Sequence, residues 1–200
     1  MRDSLIYLLV FALGIVLALV GWIPELFIPD NMAKGILYLL LFFVGIQIGS
    51  SKHLFSVVKS LGFKIMLVPA ATTIGTFAAV ILASFLLPHR SLTDCLCVGS
   101  GFAYYSLSSI LISEYRGAEL GTVALLANII REFFVLVFAP WMVKYFGKLA
   151  PICAGGATTM DTTLPIITKF SGSEYVMVAL FHGMIIDFSV PLWVSFFLSL

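Results

Sequence analysis

The chain has 200 residues, 61% of them hydrophobic and 10% charged, with a formal net charge of +1 and a mean hydropathy of +1.12. That balance excludes a soluble globular domain, and so small a charge gives no electrostatic basis for a nucleic-acid partner. A membrane span takes about 20 residues, so about five to seven segments fill the chain and leave no room for a soluble catalytic domain.

The first apolar run, Leu5 to Ile23, follows Met1-Arg2-Asp3. It is longer than the apolar core of a signal peptide and lacks a clear small-residue cleavage site, so it reads as the first span. Further uncharged runs cover Gly35 to Gly49 and Ile65 to Leu87. Lys52, Lys59 and Lys64 share the intervening connection with no acidic residue. Cytoplasmic loops are enriched in Lys and Arg, so this loop is cytoplasmic, and with it the amino terminus.

Cys95 to Ile112 is unusual. Gly99-Ser100-Gly101 breaks it, and Tyr104-Tyr105-Ser106-Leu107-Ser108-Ser109 follows. A glycine break leading into a short helix suggests a half-helix or a re-entrant hairpin, although small residues also let membrane helices pack closely. Tyr104 and Tyr105 suit an interfacial belt or, with Ser106 and Ser108, a substrate path. Cys95, Cys97 and Cys153 match no metal or redox spacing and read as packing residues, so no metal or cofactor is expected.

Leu120 to Val143 is long enough to span, with Asn128, Arg131 and Glu132 near its middle. Asn128 and Glu132 share a helix face, while Arg131 projects about 100° away from Glu132. We therefore expect Arg131 to pair with Asp161 or Asp187, and Glu132 with Asn128 to face a cavity. A structural ion pair between helices is the alternative.

The second unusual segment, Ala150 to Phe170, carries Gly155-Gly156-Ala157-Thr158-Thr159-Met160-Asp161-Thr162-Thr163-Leu164-Pro165. A carboxylate at membrane depth costs roughly 2.5 to 3.5 kcal/mol and is normally turned to protein or to a water-filled cavity. The threonine hydroxyls can donate to a carboxylate or accept from an ammonium group. Asp161 or a neighbouring threonine also suits a helix N-cap, with Pro165 in the first turn. In the last run, Tyr175 to Leu200, His182 and Asp187 lie about 140° apart around a helix and form no obvious pair. His182 reads as a hydrogen-bonded packing residue before it reads as a proton carrier, and Arg131 is the default partner of Asp187.

If both unusual segments re-enter on their own side, Arg2, Lys52, Lys59, Lys64, Lys144, Lys148 and Lys169 are cytoplasmic, against Lys34, Arg90 and Arg116 outside. If both cross, the bias falls to six against four, which favours re-entry. The carboxyl terminus is then periplasmic. Segments dipping in from opposite faces could meet near the midplane, the pattern by which many secondary transporters build a substrate site. No sequence repeat relates the two. Arg131 against Glu132, Asp161 and Asp187 leaves an interior that favours cations. Carboxylates that exchange a proton for a cation could couple export to proton entry. The expected fold is all-α: one integral membrane domain over residues 1–200, a polytopic bundle of about five full spans and two discontinuous or re-entrant segments.

Several blocks together resemble the bacterial lysine exporter family known as LysO. They are Phe43-Val44-Gly45-Ile46-Gln47-Ile48, Gly99-Ser100-Gly101-Phe102 with Tyr105-Ser106-Leu107-Ser108, Asn128 with Arg131-Glu132, the string from Ala157 to Pro165, and His182-Gly183. The resemblance implies an inner-membrane exporter of L-lysine and of its analogue thialysine, with Glu132 and Asp161 as the acidic residues required for transport and Asn128 and Arg131 beside them. Asp187 lies outside the matched strings. Members usually carry a further hydrophobic stretch ahead of the matched region, so a separately encoded small membrane protein is expected to complete the chain; a homo-oligomer is another assembly.

The full expected substrate and proton site is Glu132, Asp161, Asn128, Arg131, Thr158, Thr159, Thr162, Thr163, Ser106, Ser108, Tyr105 and His182. Gly99, Gly101, Gly155, Gly156 and Pro165 form its breaks. A monovalent-cation/proton antiporter and a non-transporting subunit of a larger complex are the competing readings. With no His-Glu-x-x-His and no Gly-x-Ser-x-Gly, an enzyme is not expected.

Overall fold

The computed structural model describes residues 62–200 continuously, with the separate positions 13, 16, 17, 20, 35, 39, 42, 43 and 46. The chain divides into two compact units, Met1–Phe43 and Val44–Leu200. Positions 13, 16, 17, 35, 39, 42, 43 and 46 are helical. The rest of the two expected spans from Leu5 to Ile23 and from Gly35 to Gly49, and the connection bearing Lys52 and Lys59, lie outside the described residues.

All regular structure among the described residues is helical. After a 3₁₀ turn at Phe63–Met66 come α1 (Leu67–Ser84), α2 (Leu92–Gly99), α3 (Tyr105–Arg116), α4 (Ala118–Phe146), α5 (Ala150–Gly155), α6 (Leu164–Ser171) and α7 (Val176–Leu198). Three of these, counted with their adjoining turns as Lys64–Ser84, Ala118–Phe146 and Ser173–Leu198, are long and apolar enough to cross a membrane. They coincide with the three long apolar runs of residues 65–200. The short helices fall in the two glycine-broken segments.

Each broken segment is a hairpin closed at its mouth. Ser91 caps α2 by accepting from the Asp94 N–H at 3.0 Å. Asp94 in that first turn then meets Arg116 in the last turn of α3, at 3.5 Å. Arg90, just before α2, pairs with Glu119, just after α3. The second hairpin, α5 to α6, is flanked by Lys148 and Glu174, which pair at 2.9 Å. That hydrogen bond holds the Lys148 ammonium above its usual pKa. Both ends of each hairpin therefore lie at the same end of the bundle.

The 29 residues of α4 rise about 43 Å at 1.5 Å per residue, more than a bilayer core of about 30 Å. They run from the mouth of the first hairpin to the mouth of the second, so the hairpins enter from opposite ends. Single cysteines replacing Arg116 and Lys148 are expected to react with an impermeant thiol reagent from opposite faces of the membrane. Labelling of both from one face contradicts this topology.

The hairpin tips are packed between the long helices. Phe102, fully buried, meets Phe77 of α1 edge to face at 5.6 Å. Phe77 in turn meets Trp193 and Phe197 of α7 at 5.1 and 5.2 Å. A second tie joins the same two long helices to the other tip: His182 of α7 bonds Thr72 of α1 at 2.8 Å and Thr159 of the second tip at 3.2 Å.

Candidate functional site

The tips touch through their backbones. The Ala157 N–H donates to the Phe102 carbonyl at 2.9 Å. Phe102 and Ala103 hold φ of 43° and 71°, left-handed values that cost non-glycine residues on the order of 1–3 kcal/mol each and persist only when the surroundings enforce them. Asn128 supplies part of that enforcement. Its Oδ1 accepts from the Ala103 N–H at 2.7 Å while its Nδ2 donates to the Ala124 carbonyl at 2.8 Å. On the opposite side Gly156 sits at φ 62°, and a Cβ there would lie 2.2 Å from the Phe102 oxygen. Only glycine combines that dihedral with that approach.

Arg131 does not pair with Asp161 or Asp187, contrary to the expectation from its direction on the helix. Its Nε donates to the Ala154 carbonyl at 2.7 Å and its terminal nitrogen to the Cys153 carbonyl at 3.2 Å. Its guanidinium lies 5.5 Å from the centre of the Phe102 ring. The reason is local: α5 stops after six residues and leaves carbonyls without an i+4 donor, and a planar fork of N–H groups satisfies two of them at once.

Glu132, one residue on, takes the other direction. It lines a cavity of about 330 Å³ with Asp161 and Asp187, at the small end of the range, roughly 300–1,000 Å³, of small-molecule pockets. Glu132 lies at the midpoint of α4 and Asp187 at the midpoint of α7. Asp161 is exposed to the cavity and occupies the bend between the 3₁₀ turn Gly156–Met160 and α6. Its Oδ1 accepts from the Thr162 N–H at 2.5 Å and the Thr162 hydroxyl at 3.3 Å. The α6 N-cap position belongs to Thr163, and Pro165 lies in the first turn as expected. Tyr104, Tyr105 and Ser106 at the start of α3 form the facing wall, with Thr158 and Thr162 beside Asp161.

Half of the expected polar set thus reaches the cavity: Glu132, Asp161, Tyr105, Ser106, Thr158 and Thr162. The other half braces it. Asn128 and Arg131 act as above. The Ser108 hydroxyl donates to the Tyr104 carbonyl at 2.8 Å, and that of Thr163 to the Thr158 carbonyl at 2.9 Å. The Thr159 hydroxyl has carbonyls of Gly156 and Ala179 at 2.9 Å and can donate to only one at a time. Its lone pair is left for His182, which assigns the ring proton to Nδ1 and makes Nε2 the acceptor from Thr72. His182 is fully buried, away from the cavity lining. Gly99 ends α2, Gly101 lies in the first bend and Gly155 ends α5. Spacing along the chain missed Asp187, whose signal was its central position in an apolar run.

A larger groove of about 770 Å³ runs between α1 and α4. It is lined mostly by small apolar residues such as Ala71, Gly75, Ala79 and Ala83, and the one charge on it, Arg131, is already committed to carbonyls. Three carboxylates, by contrast, line the smaller cavity.

Long apolar helices around two opposed, broken hairpins and an acidic cavity at their tips define an all-helical membrane transport protein. The family model described as Lysine exporter LysO matches residues 8–198. The chain belongs to that family. It is 32% identical over 189 residues to a Haemophilus influenzae protein named "Putative lysine exporter", covering 94% of each chain. It is also 32% identical over 162 residues to the Escherichia coli protein named Lysine exporter LysO, covering 80% of this chain and 53% of that one. It thus spans nearly all of the first relative and about half of the second. No solved structure matches the chain.

Proposed function

We propose that the chain exports L-lysine across the bacterial inner membrane by alternating access, with Glu132 and Asp161 receiving the substrate ammonium and protons in turn. The observation that carries this reading is the convergence of these two carboxylates, from separate elements, on one cavity in a member of this family. The names of both relatives support lysine as the cargo. Thialysine, of nearly the same shape and charge, follows as a second cargo.

Coupling follows from energetics. Moving a cation out of an inside-negative cell costs about 2.3 kcal/mol per charge per 100 mV. A carboxylate that releases its proton inward as it accepts an ammonium group, and reprotonates from outside as it releases it, links this climb to proton entry. The hydroxyls of Tyr105, Ser106 and Thr162 provide exchangeable partners along the cavity.

Lysine and arginine placement supports the orientation. Lys64, Lys144, Lys148 and Lys169 gather at the end of the bundle where the second hairpin opens, against Arg90 and Arg116 at the other. In the proposed orientation the second hairpin's mouth and the amino terminus face the cytoplasm and the carboxyl terminus faces the periplasm. A separately encoded small membrane protein or a second copy of the chain is the proposed partner.

Asp161→Asn is expected to reduce lysine clearance at least about tenfold, the factor for ~1.4 kcal/mol, in cells fed lysyl dipeptides with internal lysine measured at matched protein level. Normal clearance by this variant counts against the proposal. Sodium-driven proton movement without lysine movement in proteoliposomes selects a cation/proton antiporter instead.

A further inference from the structure

Asp187 completes a charge pattern that two carboxylates alone do not make. The cavity takes one carboxylate from each of three elements: Glu132 from α4, Asp161 from the second tip and Asp187 from α7. Among the described residues no cationic side chain lines it. Arg131 is held by the carbonyls of Cys153 and Ala154, and the described salt bridges lie at the hairpin mouths. Ionised carboxylates at membrane depth demand partners. Nothing of opposite charge among the described residues balances them, which leaves that role to what enters.

We propose that Asp187 is a substrate-binding residue that receives the second ammonium group of a doubly aminated substrate, so that the site selects linear diammonium compounds. This rests on the lysine-export reading of the same cavity. Lysine carries ammonium groups at its α and ε positions. Two carboxylates answer them, and the third holds the exchanged proton. The α-carboxylate of the substrate meets no opposite charge on a side chain of the lining, only the hydroxyls of Tyr104, Tyr105, Ser106 and Thr162. Charge recognition therefore falls on the two amines. The consequence is a further substrate class: a linear diamine without a carboxylate, such as 1,5-diaminopentane, occupies the site and is carried.

The test uses the full chain in proteoliposomes with labelled lysine, competed by excess 1,5-diaminopentane or by 1-aminopentane. In wild type the diamine is expected to suppress lysine flux and the monoamine to leave it unchanged, a comparison that depends on no variant's folding. Asp187→Asn is expected to lower lysine flux at least about tenfold, as for loss of a charged hydrogen bond, and to erase the preference for diamine over monoamine in the flux that remains. Asp187→Glu retains that preference. Normal lysine flux with equal competition by the two amines overturns the assignment, as does unchanged flux in Asp187→Asn. Wild-type vesicles that carry no lysine overturn the export reading and this assignment with it, an outcome distinct from intact lysine flux without diamine selectivity.

Discussion

Gly156→Ala is expected to abolish accumulation of folded protein. A methyl group at this position would lie 2.2 Å from the Phe102 oxygen and 2.9 Å from its carbonyl carbon, and both are backbone atoms, so no side chain can move aside. Relief requires separating the tips, which breaks the Ala157 to Phe102 hydrogen bond and frees the left-handed Phe102 and Ala103. Overpacking and the positive φ together amount to at least about 3 kcal/mol. Gly147→Ala is the control. Gly147 also has a positive φ, 88°, but nothing lies within 4 Å of its added Cβ. It should show only the smaller cost of the dihedral, read as the melting midpoint of purified protein in detergent. Equal loss in the two variants contradicts the close approach as the cause.

The second large effect is expected at Arg131. Arg131→Met removes the donors to Cys153 and Ala154 and the cation beside Phe102. A buried group left unsatisfied costs about 1–3 kcal/mol, so a loss of roughly 2–5 kcal/mol in stability is expected. Arg131→Lys recovers only part of this, because a point charge does not reproduce the two-pronged geometry. A further comparison separates this account from an ion pair. If Arg131 neutralised Asp161, then Arg131→Met combined with Asp161→Asn would restore stability; if it caps carbonyls, the double variant remains as unstable as Arg131→Met. Thermal unfolding of the three proteins distinguishes the outcomes.

How much was legible beforehand depends on the range of the interaction. Apolar run length located α1, α4 and α7, because a helix in lipid satisfies its backbone internally and its length is set by the bilayer. Glycine pairs and the stranded Asp161 marked the two breaks for the same reason: open backbone and charge at that depth need protein around them. The tip contact was expected only in outline. That Asn128, Arg131 and Glu132 would divide between two bracing roles and one cavity role was not readable, since their directions depend on where carbonyls and N–H groups of other segments end up. Asp187 shows the same limit: helix geometry excluded His182 as its partner and offered Arg131 in its place.

By itself, then, the sequence determined that this is an all-helical membrane protein with two interrupted segments and acidic residues at depth, because those properties follow from hydropathy and backbone hydrogen bonding along a local stretch. Tertiary structure alone decided that each interrupted segment turns back to its own end, that Arg131 serves carbonyls, and that three carboxylates share one space. Those are outcomes of long-range packing, in which every polar group competes for partners that no local spacing encodes.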